Sequence, residues 1–278
     1  MGITAIERVI SEKNIVVFSP HYDDFPLFIS GYIAGLKDKD LLDIKRFTSV
    51  LVFGRSNYTV GAEQANYDTS LERIKVATGQ RFIEDTECMN EMLGCFNYSY
   101  ECCLENEALV REKVLADSTM EFPSGTLADF NEEDQEIFER ITRKVMEYAT
   151  QEDTAILFPL AIKEHIDHVI VREAAFNAIE KSKGKVAATF YFCEDKPYYG
   201  IATKEERKKI EAVIEARKLR PITYTFNAEA MIELVFKHYI SQVEDVYSAG
   251  IRARARELKN IEGEEKDCDR MYVLDKVK

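Results

Sequence analysis

The sequence predicts an α/β fold with a mostly parallel sheet flanked by helices, and three observations carry that prediction. Short apolar, β-branched runs of strand length recur, among them Ile15-Val16-Val17 and Ala155-Ile156-Leu157-Phe158. Each is followed by a stretch whose apolar residues repeat at helical spacing, the alternation that builds βαβ units and parallel pairing. The 278 residues, 46% of them hydrophobic, suffice to bury a sizeable core. With no internal repeat and no low-complexity linker, residues 1–278 read as a single domain.

In chain order, residues 15–19 form the first expected strand and 24–37 a helix that stops at the polar Lys37-Asp38-Lys39-Asp40. A second strand spans 47–53 and ends at Gly54-Arg55-Ser56-Asn57-Tyr58. From Tyr58 to Gln80 the periodicity is weak and reads as a loop carrying a short helix. Arg81 to Leu93 reads as a helix closed by Gly94 as its C-cap. Cys95-Phe96-Asn97-Tyr98 reads as a short strand and Phe122-Pro123-Ser124-Gly125 as a loop. Asn131 followed by Glu132-Glu133-Asp134 is a strong helix start, an N-cap with acidic residues facing the helix dipole. That helix runs to about Tyr148, with Ile137, Ile141, Val145 and Tyr148 on one face. Strand 155–158, helix 168–182, strand 186–193, helix 203–217, strand 222–226, helix 228–240 and a short strand at 272–274 follow.

Composition narrows the function classes. A formal charge of −13 argues against a nucleic-acid partner, which demands a basic face. The concentrated basic residues, Arg252, Arg254 and Arg256, read as a solvated helix face. Six cysteines without a CxxC pair read as buried or free thiols in a reducing, cytoplasmic setting, and Cys102-Cys103 as core packing. The first residues lack the apolar centre of a signal peptide, and no apolar run reaches the roughly 18 residues of a membrane span.

The chemistry concentrates where two strands end. His21-Tyr22-Asp23-Asp24 follows the first strand, and His165-Ile166-Asp167-His168 follows the run at 155–158. Three of the four histidines of the chain fall in these two motifs. Adjacent carboxylates repel and call for a cation, and ligands of open α/β sheets bind beyond the carboxyl ends of strands. His21, Asp24 and His168 together offer two imidazoles and a carboxylate, a zinc-type set that leaves a coordination position open. Asp23, as a carboxylate that is not a ligand, suits a general base, and His165 suits an oxyanion or leaving-group partner. Asp167 suits the orientation of a histidine. The plainer alternative, that the Asp-Asp pair and the two histidines of the second motif only cap helices, stays open at this level. Arg55 and Ser56, past a strand end, and Tyr198 and Tyr199, as aromatic faces for a sugar, are candidate substrate contacts. His238 reads as structural.

These residues resemble the LmbE/PIG-L family of zinc-dependent N-acetylglucosaminyl deacetylases. Pro20-His21-Tyr22-Asp23-Asp24 is similar to its PHPDD motif and His165-Ile166-Asp167-His168 to its HPDH motif. Arg81-Phe82-Ile83-Glu84-Asp85 with Leu93-Gly94 resembles its RxxED…LG helix. Pro159-Leu160, Glu194-Asp195-Lys196-Pro197-Tyr198 and Tyr239-Ile240-Ser241-Gln242 resemble further landmarks, in the order the family has them over about 15–245. The resemblance implies a Rossmann-like layered fold, His21, Asp24 and His168 as zinc ligands, Asp23 as base, His165 at the oxyanion, and Arg81 near the substrate. Three residues depart from the pattern. Tyr22 and Ile166 stand where prolines are usual, and Phe25 stands where glutamate is usual, which removes a charge beside the site and is expected to reshape the pocket floor.

The expected function is therefore removal of an N-acetyl group from an amino-sugar small molecule or glycoconjugate by metal-activated water. A carbohydrate-binding protein without turnover, favoured by Phe25, and an amidase on a non-acetyl amide are the alternatives. Two imidazoles and a carboxylate also accept iron or cobalt. The sequence leaves the oligomeric state open, a homo-oligomer included.

Overall fold

A computed structural model describes residues 2–61, 65–95, 97–113 and 123–274. Phe96 and Phe122, which the sequence reading put in a short strand and a loop, lie outside these. The strands are β1 (Asn14–Ser19), β2 (Arg46–Leu51), β3 (Tyr98–Cys102), β4 (Thr154–Pro159), β5 (Thr189–Cys193), β6 (Leu219–Thr225) and β7 (Cys268–Leu274). They form one sheet in the order β3-β2-β1-β4-β5-β7-β6. The pairs from β3 to β5 are parallel, and β7 runs antiparallel to both of its neighbours. The fold is a Rossmann-like layered α/β fold.

Each strand divides its side chains between two apolar layers, as the two-residue period demands. Ile15, Val17, Ala155 and Leu157 enter one core, and Val16, Phe18, Ile156 and Phe158 enter the other. Buried on both sides, β1 and β4 read as continuous apolar runs, which is why they were legible. Helices α1 (Asp24–Lys37), α2 (Leu71–Leu93), α7 (Ala228–His238) and α8 (Asp245–Glu262) cover the first face. Helices α3 (Glu132–Ala149), α4 (Ile166–Lys181) and α6 (Lys204–Ala216) cover the second, and the short α5 (Tyr198–Ile201) packs against α8.

Several expectations change. The short strand expected at 95–98 lies at Tyr98–Cys102, where Cys102 is exposed and Cys103 half-buried rather than packed in the core. α2 begins ten residues before the expected start, at the N-cap Ser70, whose side chain accepts the Arg73 N–H. Its buried face carries Arg81, Glu84 and Asp85, so the apolar stripe that announces a helix is broken by charge. α8 was not among the expected elements, although its arginines read as lying on a helix. Its inward positions Tyr247, Gly250, Ile251, Arg254, Ala255 and Leu258 have helical spacing, but a glycine and an arginine interrupt the stripe. Arg254 is accordingly not on a solvated face; it is buried and forms a two-pronged ion pair with Glu194. Finally, β7 is a seven-residue strand inside the sheet rather than a three-residue one.

Candidate metal centre

The sheet order reverses direction between β1 and β4: the chain leaves β1 towards β2 and leaves β4 towards β5. At such a point the loops splay apart and leave a crevice at the carboxyl ends of the strands. The β1–α1 turn delivers His21, Asp23 and Asp24 there, and the β4–α4 loop delivers His165, Asp167 and His168. That second loop is strained. Ala161, Lys163 and Glu164 all take positive φ (59°, 61° and 57°), which costs non-glycine residues roughly 1 kcal/mol or more each. It is held by Ile162 N–H to Asp195 (3.1 Å), Arg172 to the Leu160 carbonyl (2.9 Å) and Gly125 N–H to the Glu164 carbonyl (2.9 Å).

Three potential ligand atoms converge. His168 Nε2 lies 3.2 Å from His21 Nδ1 and 3.4 Å from Asp24 Oδ2, and His21 Nδ1 lies 3.6 Å from Asp24 Oδ2. Ligands about 2.0–2.1 Å from a tetrahedral zinc stand roughly 3.3 Å apart, so the spacing fits such an ion. The tautomers fit as well. His21 Nε2 is 3.0 Å from Asp167 Oδ2, and His168 Nδ1 is 2.5 Å from Asp195 Oδ1. A carboxylate takes an N–H from the outer nitrogen of each ring, which turns the lone pair of the inner nitrogen to the common centre. Two lone pairs and a carboxylate oxygen aimed at one point suit a cation and little else.

The charges around the centre say the same. Burial pushes Asp24 up to about 6, against the pull of His168. Burial disfavours a charged His168, yet Asp24 and the hydrogen bond to Asp195 raise it to about 9. Without a metal, a proton on His168 supplies the positive charge these carboxylates require. Asp167 is fully buried, which by itself favours the acid form; the Arg111 guanidinium, 2.7 Å away, outweighs that and holds it below the usual carboxylate range. His21, His165 and Asp167 form a second close group. The oxygens of Asp167 are engaged there by Arg111, the Ala108 N–H and His21, so the first group is the better cation site.

His165 is both things the sequence allowed. It caps α4, its Nδ1 accepting the Asp167 N–H (3.2 Å), and it lines the cavity. Burial, then His21, hold it well below its usual value, so it is neutral. With Nδ1 accepting, the proton of the neutral ring sits on Nε2, the nitrogen that can donate.

The cavity over these residues has a volume of about 320 Å³. Asp23 and Tyr198 line it, and Tyr247 on α8 donates to Asp23 (3.2 Å) and meets the Tyr198 hydroxyl at 3.4 Å. α8 comes close enough because Gly200 and Gly250 meet backbone to backbone: a Cβ on Gly250 would fall 2.4 Å from the Pro197 carbonyl oxygen. Arg81 also lines the cavity, neutralised by Glu107 (2.5 Å) and tied to Ser56 and Gln242. Its guanidinium lies over the ring of Tyr22 (5.3 Å), whose hydroxyl holds the Gly54 carbonyl (2.7 Å). The residue in the usual proline position thus supports Arg81.

Four expectations are corrected here. Arg55 is exposed and stays outside the cavity wall; neighbours in an extended segment face opposite ways, and Ser56 turns inward to bond Arg81 and Glu107, buried behind the cavity rather than lining it. Phe25 does not floor the pocket. It is fully buried in the core beneath α1 and absent from the cavity wall. His238 pairs with Glu91 (2.6 Å), away from the centre. Tyr199 is buried under Arg254 (4.0 Å) and does not face the cavity. Sequence reasoning gave Asp195 no role, although it follows β5 directly, as His21 follows β1, and Tyr247 was hidden with α8.

No family model and no curated protein matches the sequence. Solved structures do match it. The zinc-inhibited form of teicoplanin deacetylase Orf2 superposes with a TM-score of 0.62 at 14% identity, covering 94% of this chain and 97% of that one. The antimicrobial reagent A40926 pseudoaglycone deacetylase Dbv21 gives 0.56 at 16% identity over 96% and 99%. The N,N'-diacetylchitobiose deacetylase of Pyrococcus horikoshii, complexed with its inhibitor MPG, gives 0.56 at 12% identity over 97% and 86%. The chain has the LmbE/PIG-L fold. At these identities the likeness speaks for the LmbE/PIG-L architecture from end to end, while the chemistry must be argued from the residues.

Proposed function

We propose that the protein is a metal-dependent N-deacetylase that hydrolyses the acetamide of an N-acetylated amino sugar, with zinc as the cation. One observation carries the proposal: His21 Nδ1, Asp24 Oδ2 and His168 Nε2 converge within 3.6 Å at the bottom of a cavity also walled by Asp23 and His165. The structural neighbours named as deacetylases support the reaction class.

A divalent ion held by these three side chains would lower the pKa of water and polarise the acetamide carbonyl. The residues of the chain do the rest. Asp23, a carboxylate outside the ligand set, takes the proton of the attacking water, and the Tyr247 hydroxyl fixes the carboxylate that does so. Neutral His165 donates from Nε2 to the oxygen on which negative charge develops. A new C–O bond forms, the C–N bond breaks, and the proton held by Asp23 goes to the departing amine. Asp167 and Asp195 keep His21 and His168 in the tautomers that face inwards. The residue that favoured a binding-only reading, Phe25, belongs to the core. That reading therefore rests on no feature of the site.

The test is acetate release from N-acetylglucosamine glycosides by zinc-loaded protein, beside an Asp23→Asn variant. Turnover by the parent and a loss of at least about a hundredfold in kcat at unchanged zinc stoichiometry support the proposal. Full activity in the variant would remove Asp23 as the base. Acyl groups larger than acetyl, tested in the same assay, separate deacetylase from general amidase.

A further inference from the structure

The charges of the cavity wall indicate which amino-sugar conjugates fit. Among the described residues, both basic side chains on the wall are neutralised by a neighbouring carboxylate. Arg81 pairs with Glu107 at 2.5 Å, and Lys196 lies 2.9 Å from Asp269. A divalent cation held by Asp24 and faced by Asp23 adds no net charge. Asp167 is held by Arg111, so among the described residues of the wall what remains is Glu244, an exposed carboxylate on the rim. The rim includes residues 58–61, 65–67 and 241–247, joined by Val60 N–H to the Ser241 carbonyl (2.8 Å), and it presents the ring of Tyr67, 59% exposed. The chain as a whole carries −13.

A cavity of about 320 Å³ suits one acetamido-sugar ring, so the remainder of a substrate meets this rim. A carboxylate and an exposed aromatic face attract an ammonium group and repel a phosphate. Building on the deacetylase reading, we propose that the site takes N-acetylated amino sugars whose attached group is uncharged or cationic, and selects against sugar phosphates and nucleotide sugars. Glu244 is the specificity residue. Across about 8 Å of a partly aqueous mouth, one unit charge is worth roughly three- to tenfold, and salt screens it.

The experiment compares three N-acetylglucosamine derivatives that differ at the anomeric position: the methyl glycoside, the 2-aminoethyl glycoside and the 1-phosphate. Acetate release gives kcat/KM for each at low and high salt. Calorimetry on metal-stripped protein gives binding without phosphate–metal contact. The expected order is aminoethyl, then methyl, then phosphate, with about tenfold or more between the extremes. The gap should shrink at high salt and in Glu244→Gln. Equal or better use of the phosphate overturns the proposal, as does a gap that neither salt nor Glu244→Gln changes. No acetate from any compound, with the binding order intact, would sink the deacetylase reading and leave charge selection standing. Neither turnover nor ordered binding would overturn both.

Discussion

Removing Asp195 should weaken metal binding without dismantling the fold. Its Oδ1 is 2.5 Å from His168 Nδ1 and its Oδ2 accepts the Ile162 N–H at 3.1 Å, so one carboxylate sets a ligand's tautomer and pins the loop that carries the second motif. Carboxylates behind metal-bound histidines are worth ten- to a hundredfold in affinity, about 1.4–2.7 kcal/mol. Asp195→Ala loses both bonds and should fall at the upper end. Asp195→Asn keeps an oxygen for one of the two donors and should fall at the lower end. The assay is zinc titration against a competing chelator, with circular dichroism and thermal unfolding of the metal-free variants as the control for folding. If Asp195→Ala folded like the parent and bound zinc as tightly, the tautomer argument for His168 would be refuted, and with it the claim that the two histidines are pre-set for a cation.

Other perturbations test the surrounding structure. Burial raises Asp85 to about 7 despite hydrogen bonds from Tyr100 and Tyr239, while an unfolded aspartate titrates near 3.9. The folded chain therefore holds more protons between these values, and this group withdraws up to about 4 kcal/mol of stability as pH rises from about 4 to beyond 7; urea unfolding of Asp85→Asn should show that slope flattened. Phe25→Ala should cost about 3–5 kcal/mol in stability and leave zinc affinity unchanged, where a pocket-floor residue would have altered the site. Arg254→Ala strands buried Glu194 and should cost about 3–5 kcal/mol, partly recovered when Glu194→Gln is added. Gly250→Ala drives a methyl towards the Pro197 carbonyl at 2.4 Å and should displace α8, lowering kcat through the lost Tyr247–Asp23 bond while zinc stays bound one to one.

The parts of this fold that were legible are those where burial and apolar character coincide. β1, β4 and α1 bury mostly apolar side chains, Ser19, Thr154, Asp24 and Ser30 being the exceptions, and α3 announces itself through a capping box between Asn131 and Asp134. The missed or shortened elements bury charge. Arg81, Glu84 and Asp85 on α2, and Arg254 on α8, are inward-facing because each finds an ion or hydrogen-bond partner distant in sequence, such as Gln242, Ser241, Tyr239 or Glu194. No local window holds that information. The same division runs through the metal centre. His21, Asp24 and His168 stand out as rare residue types at strand ends. Asp195 is one carboxylate among 50 acidic residues, and only the approach of β5 to β4 gives it a role.

The placement of β7 bears on how the chain folds. β6 lies at the sheet's edge with β7 as its one strand partner, and β7 is also what joins it to β5. A chain emerging from the ribosome thus completes β6 and α7 well before the strand that anchors β6 exists, and α8, with Tyr247, is made in that same interval. Until residues 268–274 slot between them, β5 and β6 each keep an unpaired edge, and closing it joins segments about 80 residues apart for β5 and about 50 apart for β6. The parallel half of the sheet, with both histidine motifs, can assemble first; the tyrosine wall of the cavity belongs to the half that closes with β7. Loss of that strand would leave a nascent protein with its ligands together and its cavity open on one side.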